Sequence, residues 1–184
     1  TPREKLDAEV LELEAMGCRL HVGDGYLDDV EADILFRTPG MHPNNPAIET
    51  LRSRGAEVTS EMEAFFEVCP CPIIGVTGSD GKTTTTSMAT HIFMAADTDP
   101  TVMIGGTLPL LHSGYRVGKG DTIILESCEY CNSFLNFFPT VAVILNVHAD
   151  HLDFFKDLAD IEHSFHDFAA LVPQRGYIIA NADD

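Results

Sequence analysis

Short apolar runs alternate along the chain with stretches that have helical spacing. The apolar runs predict buried strands at 33–36, 56–59, 73–76, 123–125, 141–145 and 177–180. Helices are predicted over 4–16, 46–55, 61–66, 82–96 and 157–172, the second of them capped by Asn45 with Pro46 at its first position. Because strands and helices alternate, the pattern predicts an α/β protein with a mostly parallel sheet in its second part.

A proline-rich segment, Cys69-Pro70-Cys71-Pro72, interrupts this alternation. Prolines that flank so short a run resist both helix and strand, and they therefore predict a domain boundary. We expect residues 1–70 to form a partial Rossmann-like unit whose first strand is missing. Residues 71–184 are expected to form a second α/β domain.

The composition of the chain limits the kinds of binding partner and the cellular compartment that we expect. The chain has 184 residues, with 11 basic and 29 acidic side chains and a formal net charge of −18. Such a charge argues against nucleic acid and anionic membranes as partners. No run approaches the ~18 apolar residues that a membrane helix requires, and no leader precedes Thr1, so we expect a cytoplasmic protein. Because no initiator Met precedes Thr1, we expect the sequence to begin inside a longer chain.

The cysteines offer an alternative chemistry. They are Cys18, Cys69, Cys71, Cys128 and Cys131. An odd number without a leader favours free thiols in a reducing compartment. The C-x-x-C spacing of Cys128 and Cys131, with Cys69 and Cys71 as two further thiolates, leaves a zinc or redox site as a minor alternative.

A glycine-rich loop between a predicted strand and a predicted helix predicts phosphate binding. Its sequence is Gly78-Ser79-Asp80-Gly81-Lys82-Thr83. The glycines allow several backbone N–H groups to point at a phosphate, and the helix start adds partial positive charge. Lys82 would reach the terminal phosphates and Thr83 would ligate Mg²⁺. The loop departs from the common pattern by one residue, since Val76 stands where that pattern has glycine.

Polar residues follow two of the predicted central strands. Glu126 ends one strand, and Asn146 and the Asp150-His151 pair follow the next. In a parallel sheet these strand ends share one edge with the phosphate loop. We therefore expect Glu126 and His151 to approach one Mg²⁺ near the terminal phosphate.

Each of these residues also has an ordinary explanation. Glu126 alone could be a solvated loop acid, and His151 alone a hydrogen-bonded loop histidine. Glu129 lies three residues after Glu126 and receives no role at this stage. His163 and His166 lie on the predicted helix 157–172 and also receive none.

The ordered motifs resemble the central domain of the Mur ligases, which build the peptide stem of peptidoglycan. They are Thr77 to Thr86, Glu126, and Asn146-Val-His-Ala-Asp-His-Leu-Asp153. The resemblance implies ATP-dependent amide formation through an acyl phosphate, with an amino acid as the attacking amine. It also implies ATP and Mg²⁺ as cofactors and a UDP-N-acetylmuramoyl substrate. By the same resemblance we expect residues 1–70 to be part of the UDP-sugar-binding domain and residues 71–184 to be a truncated ATP-binding central domain.

Site residues follow from the same resemblance. Lys82, Glu126 and His151 would be catalytic, and Thr83, Glu126 and His151 would bind the metal. The nucleotide would be held by Gly78, Ser79, Asp80, Gly81, Lys82, Thr83, Thr84 and Asn146.

The two parts of the chain resemble different members of this family. Residues 1–86 look like the ligase that adds D-glutamate, and residues 87–184 look like the one that adds L-alanine to UDP-N-acetylmuramate. The chain also has no counterpart of the family's third, amino-acid-binding domain. From this we expect L-alanine addition with D-glutamate addition as an alternative, either a natural hybrid or a join of two genes, and no ligation by this chain alone.

Two further alternatives remain open at this stage. A folylpolyglutamate synthase-like enzyme would share the fold and the phosphate loop. A non-catalytic nucleotide-binding module would bind Mg-ATP without turnover.

Overall fold

The computed structural model describes residues 3–38, 41 and 45–183, and its contacts divide the chain between Glu61 and Met62. This division lies nine residues before the boundary predicted at 70 and 71. The reason is the helix at Glu61–Val68, whose Met62 and Phe66 pack against the core of the second unit. The ring of Phe66 lies 4.6 Å between centroids from that of Phe137, with the two planes tilted by 41°. The proline segment therefore lies inside the second unit.

The first unit contains a short β-α-β arrangement. Strand β1 (Ile34–Arg37) pairs in parallel with β2 (Glu57–Ser60), and helix α2 (Pro46–Ser53) connects them. The predicted cap is confirmed, because the side chain of Asn45 accepts a hydrogen bond from the N–H of Ala47 at 2.9 Å. Two parallel strands joined by a helix agree with a partial Rossmann-like unit.

The first predicted helix is shorter than its apolar pattern suggested. Arg3–Lys5 forms a 3-10 turn, and helix α1 covers only Ala8–Ala15. The extended backbone of Asp7 (ψ 154°) separates the two. No residue of α1 is buried, so the predicted apolar face does not pack within the described part of this unit.

The second unit is built on a six-stranded sheet. In chain order its elements are α3 (Glu61–Val68), β3 (Ile73–Thr77), α4 (Lys82–Ala95), β4 (Thr101–Leu108), β5 (Ser113–Arg116), β6 (Ile123–Glu126), β7 (Val141–Ile144), α5 (Leu158–Ala170) and β8 (Tyr177–Ala180). The strand order is β5-β4-β6-β3-β7-β8. All neighbours are parallel except β5, which pairs antiparallel with β4 at the edge. The prediction of an α/β fold with a mostly parallel sheet is confirmed.

The core of this unit explains why the central strands are so apolar. Ile124 and Leu125 on β6 and Ala142 on β7 are fully buried, and Phe134 stacks on Phe168 of α5 at 4.7 Å. Strands covered in this way read as continuous apolar runs. The sheet consequently holds the carboxyl ends of β3, β6 and β7 side by side.

The β4–β5 hairpin was not predicted. Strand β4 contains Gly105 and Gly106, which break the apolar pattern, and β5 is the polar sequence Ser-Gly-Tyr-Arg at the sheet edge. No helix among the described residues is long and apolar enough to cross a membrane.

Candidate active site

The phosphate loop connects β3 to α4 in a conformation that requires glycine. Gly78 has φ +139° and Gly81 has φ +84°, both in the region that favours glycine. A Cβ on Gly78 would also lie 2.9 Å from Cβ of Leu145 and 3.1 Å from the backbone nitrogen of Asn146. The backbone of the loop thus lies directly against the end of β7, where no larger residue fits.

Asn146 holds the loop from the end of the neighbouring strand. Its side chain accepts from the N–H of Asp80 at 2.8 Å and donates to the carbonyl of Asp80 at 3.1 Å. Its own carbonyl accepts from the N–H of Ser79 at 3.1 Å. The Ser79 hydroxyl accepts from the N–H of His148 at 2.8 Å. These bonds fix the middle of the loop, and Asn146 is the predicted residue that makes most of them.

Lys82 begins α4 and turns back over the loop. Its ammonium donates to the carbonyls of Gly78 at 2.6 Å and Ser79 at 3.3 Å, and to Oε1 of Glu129 at 3.0 Å. The side chains of Lys82 and Glu129 are 14% and 3% exposed. A carboxylate this buried requires a cationic partner, because burial of an unpaired charge is costly. Lys82 is therefore the counter-ion of Glu129.

Glu129 is the site residue that the sequence did not reveal. Its Oε2 lies 3.0 Å from the Lys82 nitrogen but accepts no well-aligned hydrogen bond from the described residues. Glu129 sits in a loop, where acids are usually solvated, and its burial together with its contacts to Lys82 and His151 shows that it lies in the site. One feature of the sequence could have pointed to Glu129: the lysine of a phosphate loop requires a counter-ion.

The side chain of Thr83, at the start of α4, contacts the side chain of Glu126, at the end of β6. The Thr83 hydroxyl lies 3.1 Å and 3.0 Å from the two carboxylate oxygens of Glu126. The N–H of Gly105 on β4 donates to Glu126 at 2.8 Å. A Cβ on Gly105 would lie 3.0 Å from both carboxylate oxygens, so a glycine here leaves room for the carboxylate. Both predicted oxygen ligands are thus adjacent.

His151 lies beside Glu129. Its Nε2 is 3.7 Å from Oε1 of Glu129 and 3.8 Å from Oδ2 of Asp150. Of the three predicted metal residues, Thr83 and Glu126 contact each other, whereas His151 lies with Glu129 and Asp150, and these three could themselves hold a metal ion. The φ of His151 is +52°, an uncommon conformation for a residue with a side chain. Thr84, the remaining predicted residue, is exposed in the first turn of α4.

Tyr130 supports His151 from its ring side. The two rings lie 4.8 Å apart between centroids, and the Tyr130 hydroxyl donates to Oδ2 of Asp153 at 2.8 Å. The hydrogen bond to Asp153, followed by desolvation, raises the pKa of Tyr130 to about 12. The phenol therefore stays protonated at neutral pH and remains a donor.

The loop that presents Glu129 and Tyr130 is anchored on α5. Cys131 and Asn132 have φ of +54° and +56°, so the chain makes a left-handed turn immediately after Tyr130. The hydroxyl of Ser164 on α5 donates to Oδ1 of Asn132 at 2.6 Å, and Phe134 is fully buried. Such strain persists where surrounding contacts enforce it, and here the Ser164 hydrogen bond and the buried Phe134 hold the segment that follows Tyr130.

The cysteines do not form a described metal cluster. No disulfide joins any of the five among the described residues; Cys18 and Cys128 are exposed, and Cys69, Cys71 and Cys131 are partly buried. The groups of three or more metal-ligating side chains found among the described residues contain only histidines and acids. Although part of Cys128 is exposed, desolvation of its thiol by the surrounding residues raises the pKa of that thiol, which disfavours the nucleophilic thiolate at neutral pH.

The fold and the site together define a P-loop nucleotide-binding α/β domain. The strand–glycine loop–helix unit, its lysine and threonine, and the acid at the end of the neighbouring strand are typical of that class. The chain belongs to the Mur ligase family: the model of the Mur ligase middle domain matches residues 76–184. The resemblance seen in the sequence is thereby confirmed.

Individual relatives agree with this assignment. The chain is 39% identical over 174 residues to a UDP-N-acetylmuramate–L-alanine ligase of Clostridium perfringens. It is 38% identical over 174 residues to the enzyme of the same name from Clostridium novyi. Each match covers 94% of this chain and 38% of the relative. The chain thus spans well under half the length of these relatives, and the matches run through both of its parts.

Solved structures show the same similarity. A UDP-N-acetylmuramate:L-alanyl-γ-D-glutamyl-meso-diaminopimelate ligase from Neisseria is 26% identical with a TM-score of 0.74, over 97% of this chain and 61% of that one. The UDP-N-acetylmuramate–alanine ligase of Thermotoga maritima is 25% identical with a TM-score of 0.61, over 95% and 41%. Neither the curated relatives nor these structures favour the D-glutamate or folate alternatives.

Proposed function

We propose that this chain is the ATP-binding part of a ligase that joins L-alanine to UDP-N-acetylmuramate in peptidoglycan precursor synthesis. The observation behind this proposal is that its curated relatives, at 37–39% identity over 94% of the chain, bear that activity in their names. The phosphate loop, with Lys82 and the Thr83–Glu126 contact, supplies the chemistry that such a reaction requires.

The residues present fit Mg²⁺ as the partner of ATP. Magnesium prefers oxygen ligands, and the Thr83 hydroxyl and the Glu126 carboxylate lie 3.0 Å apart. When bound, the ion would neutralise phosphate charge and polarise the terminal phosphoryl group. Thr83 and Glu126 would hold it, and His151 is the third predicted ligand although nitrogen ligands are unusual for magnesium.

The protein's own contribution is to bind and orient phosphates. The N–H groups of the loop at 78–82 would cradle the phosphates, and Asn146 keeps that loop in shape. Lys82 would exchange its bond to Glu129 for one to the terminal phosphates. In the proposed reaction the substrate carboxylate attacks the γ-phosphorus, ADP leaves, and the amine of L-alanine displaces phosphate from the acyl phosphate. Positioning and charge neutralisation provide most of the catalysis in such phosphoryl transfers.

Buried Glu129 has a place in this scheme. It keeps Lys82 folded over the loop in the absence of nucleotide and lies next to His151. We infer that Glu129 positions Lys82 and His151 relative to each other. Partners and location follow as part of the same proposal: a UDP-N-acetylmuramoyl substrate, an amino acid, and a cytoplasmic site of action.

A product assay tests the proposal. The complete open reading frame that encodes this chain is expressed, and the purified protein is incubated with Mg-ATP, UDP-N-acetylmuramate and L-alanine. Mass spectrometry should detect UDP-N-acetylmuramoyl-L-alanine. Parallel reactions use UDP-N-acetylmuramoyl-L-alanine with D-glutamate, and a reduced folate with L-glutamate. A product in either parallel reaction, with none in the first, would reject L-alanine addition.

A further inference from the structure

Two histidines and an aspartate form a cluster on the surface of α5 that the proposed ligase chemistry does not use. His163 and His166 are exposed, and Asp167 is partly buried beside them. Nε2 of His163 lies 3.7 Å from Oδ2 of Asp167, and Nδ1 of His166 lies 3.6 Å from Oδ1 of the same carboxylate. One ligand atom from each of the three residues lies within 4.8 Å of the others.

The helix brings these three side chains to one face. Residues three and four apart on an α-helix are neighbours, and His166 and Asp167 lie three and four residues after His163. The two imidazole rings stand nearly parallel, with 5° between their planes and 6.4 Å between their centroids. This arrangement presents two nitrogen donors and a carboxylate to a common point in solvent.

The two histidine–carboxylate separations are close to those around a small metal ion. Zinc binds imidazole nitrogen and carboxylate oxygen at about 2.0–2.2 Å, so two ligands of a tetrahedral site lie about 3.4 Å apart. Both histidine–carboxylate distances exceed that value by only a few tenths of an ångström. Exposed side chains cover such a difference with small rotations, without movement of the helix backbone.

We propose that His163, His166 and Asp167 form a binding site for a divalent transition metal ion, and that Zn²⁺ is the ion it mainly binds. Water would complete the coordination on the open side. The site is separate from the phosphate loop, because none of its residues contacts Lys82, Thr83 or Glu126 in the described structure.

The donor set determines which metal binds. Imidazole nitrogen favours Zn²⁺, Ni²⁺ and Cu²⁺, whereas Mg²⁺ prefers oxygen. The magnesium that accompanies ATP would therefore not compete. The carbonyl end of α5, at Ala170, lies one turn away, and the negative end of a helix dipole favours a cation. The net charge of −18 also favours the binding of any cation.

Residue-specific NMR tests this site without reference to enzyme activity. Zn²⁺ is titrated into the protein in the presence of excess Mg²⁺ at pH 7.5, and the imidazole Cε1–H resonances of all histidines are followed. The variant is His163→Ala with His166→Ala. The control is His91→Ala, which removes an exposed histidine from α4. Exposed positions make both variants safe for folding, and a thermal melt with and without Zn²⁺ accompanies each titration.

The proposal expects the resonances of His163 and His166 to shift together, with saturation at one Zn²⁺. The double variant should weaken this binding by at least about tenfold, because two of the three ligands are gone. Zinc should raise the melting temperature of wild type and of the His91 variant, since a ligand that binds only the folded state stabilises it, but not that of the double variant. Independent shifts of His163 and His166, or equal Zn²⁺ affinity in the double variant, would overturn the proposal.

Discussion

The ammonium nitrogen of Lys82 lies 3.0 Å from both carboxylate oxygens of Glu129, a residue whose side chain is only 3% exposed. In this arrangement the lysine that should bind phosphate already has an anionic partner. In the proposed binding mode the nucleotide phosphates compete with Glu129 for Lys82, and they bring further negative charge close to a buried carboxylate. Both effects oppose binding unless a cation accompanies the nucleotide.

Glu129→Gln should tighten the binding of metal-free ATP. The amide keeps the size of the side chain but removes the charge that competes for Lys82 and repels phosphate. We expect a lower Kd in EDTA by roughly three- to tenfold, which corresponds to about 1 kcal/mol. Isothermal titration calorimetry measures this, with Glu67→Gln, an exposed acid in the same unit, as the control. Unchanged or weaker metal-free binding would show that Glu129 does not compete with the nucleotide.

Lys82→Ala should remove most nucleotide binding. The change deletes the only side-chain cation that the described structure places on the phosphate loop. Loss of one partner of a buried charge pair costs 2 kcal/mol or more, so Kd for Mg-ATP should rise at least about 30-fold. Lys156→Ala, at an exposed position, is the control. Since Glu129 is left unpaired, a thermal melt must confirm that the variant is folded at the assay temperature. A folded Lys82→Ala variant that binds Mg-ATP with the wild-type Kd would mean that the nucleotide binds elsewhere.

Two adjacent glycines on β4 provide a matched pair for the metal site. A Cβ on Gly105 would lie 3.0 Å from the Glu126 carboxylate, whereas one on Gly106 would lie 3.5 Å from Cγ2 of Thr83, an ordinary contact. Gly105→Ala should displace Glu126 from Thr83 and raise the Mg²⁺ concentration needed for half-maximal ATP binding by roughly tenfold. Gly106→Ala should leave it nearly unchanged. If both substitutions change the required Mg²⁺ concentration equally, Glu126 is not part of the metal site.

Tyr130 should contribute a pH-dependent part of the stability at alkaline pH. Its pKa is raised from 10.0 to about 12 because its hydroxyl donates to Asp153. The folded state thus holds a proton that the unfolded state releases above pH 10. Stability from this group is complete below pH 10 and is lost as the pH rises toward 12.

Urea unfolding at pH 9 and pH 11 measures this contribution. Tyr130→Phe should lose less stability than wild type between the two pH values, and Tyr115→Phe, at an exposed position, should behave as wild type. Identical losses in wild type and Tyr130→Phe would show that the hydrogen bond to Asp153 does not persist in solution.

Elements with strong local signals were predictable from the sequence. The apolar runs of β3, β6 and β7 and the spacing along α5 follow from burial, which the residue types themselves express. The helix cap at Asn45 and the phosphate loop were also predictable, because each is encoded by a few consecutive residues. Strands β4 and β5 escaped prediction because a glycine pair and an exposed edge remove the apolar pattern.

The site was predictable in its residue types but not in its pairings. Strand order brings Glu126, Asn146 and the loop to one edge, as the parallel alternation implied. The pairing of Glu129 with Lys82 spans 47 positions and depends on the left-handed turn at Cys131 and Asn132. No periodicity or residue spacing in the sequence indicates such a turn. The contact of Glu129 with Lys82 was therefore found only in the structure. The roles given to Thr83, Glu126 and His151 remain predictions that the variants above test.

Oxygen transfer tests the proposed reaction most directly. UDP-N-acetylmuramate labelled with ¹⁸O in its carboxylate is incubated with Mg-ATP, L-alanine and the protein encoded by the complete reading frame, and the released phosphate is analysed by mass spectrometry. An acyl phosphate must pass one carboxylate oxygen to the phosphate, so the account predicts one ¹⁸O in each phosphate and one in the amide product. Unlabelled phosphate, with or without amide formation, would contradict it.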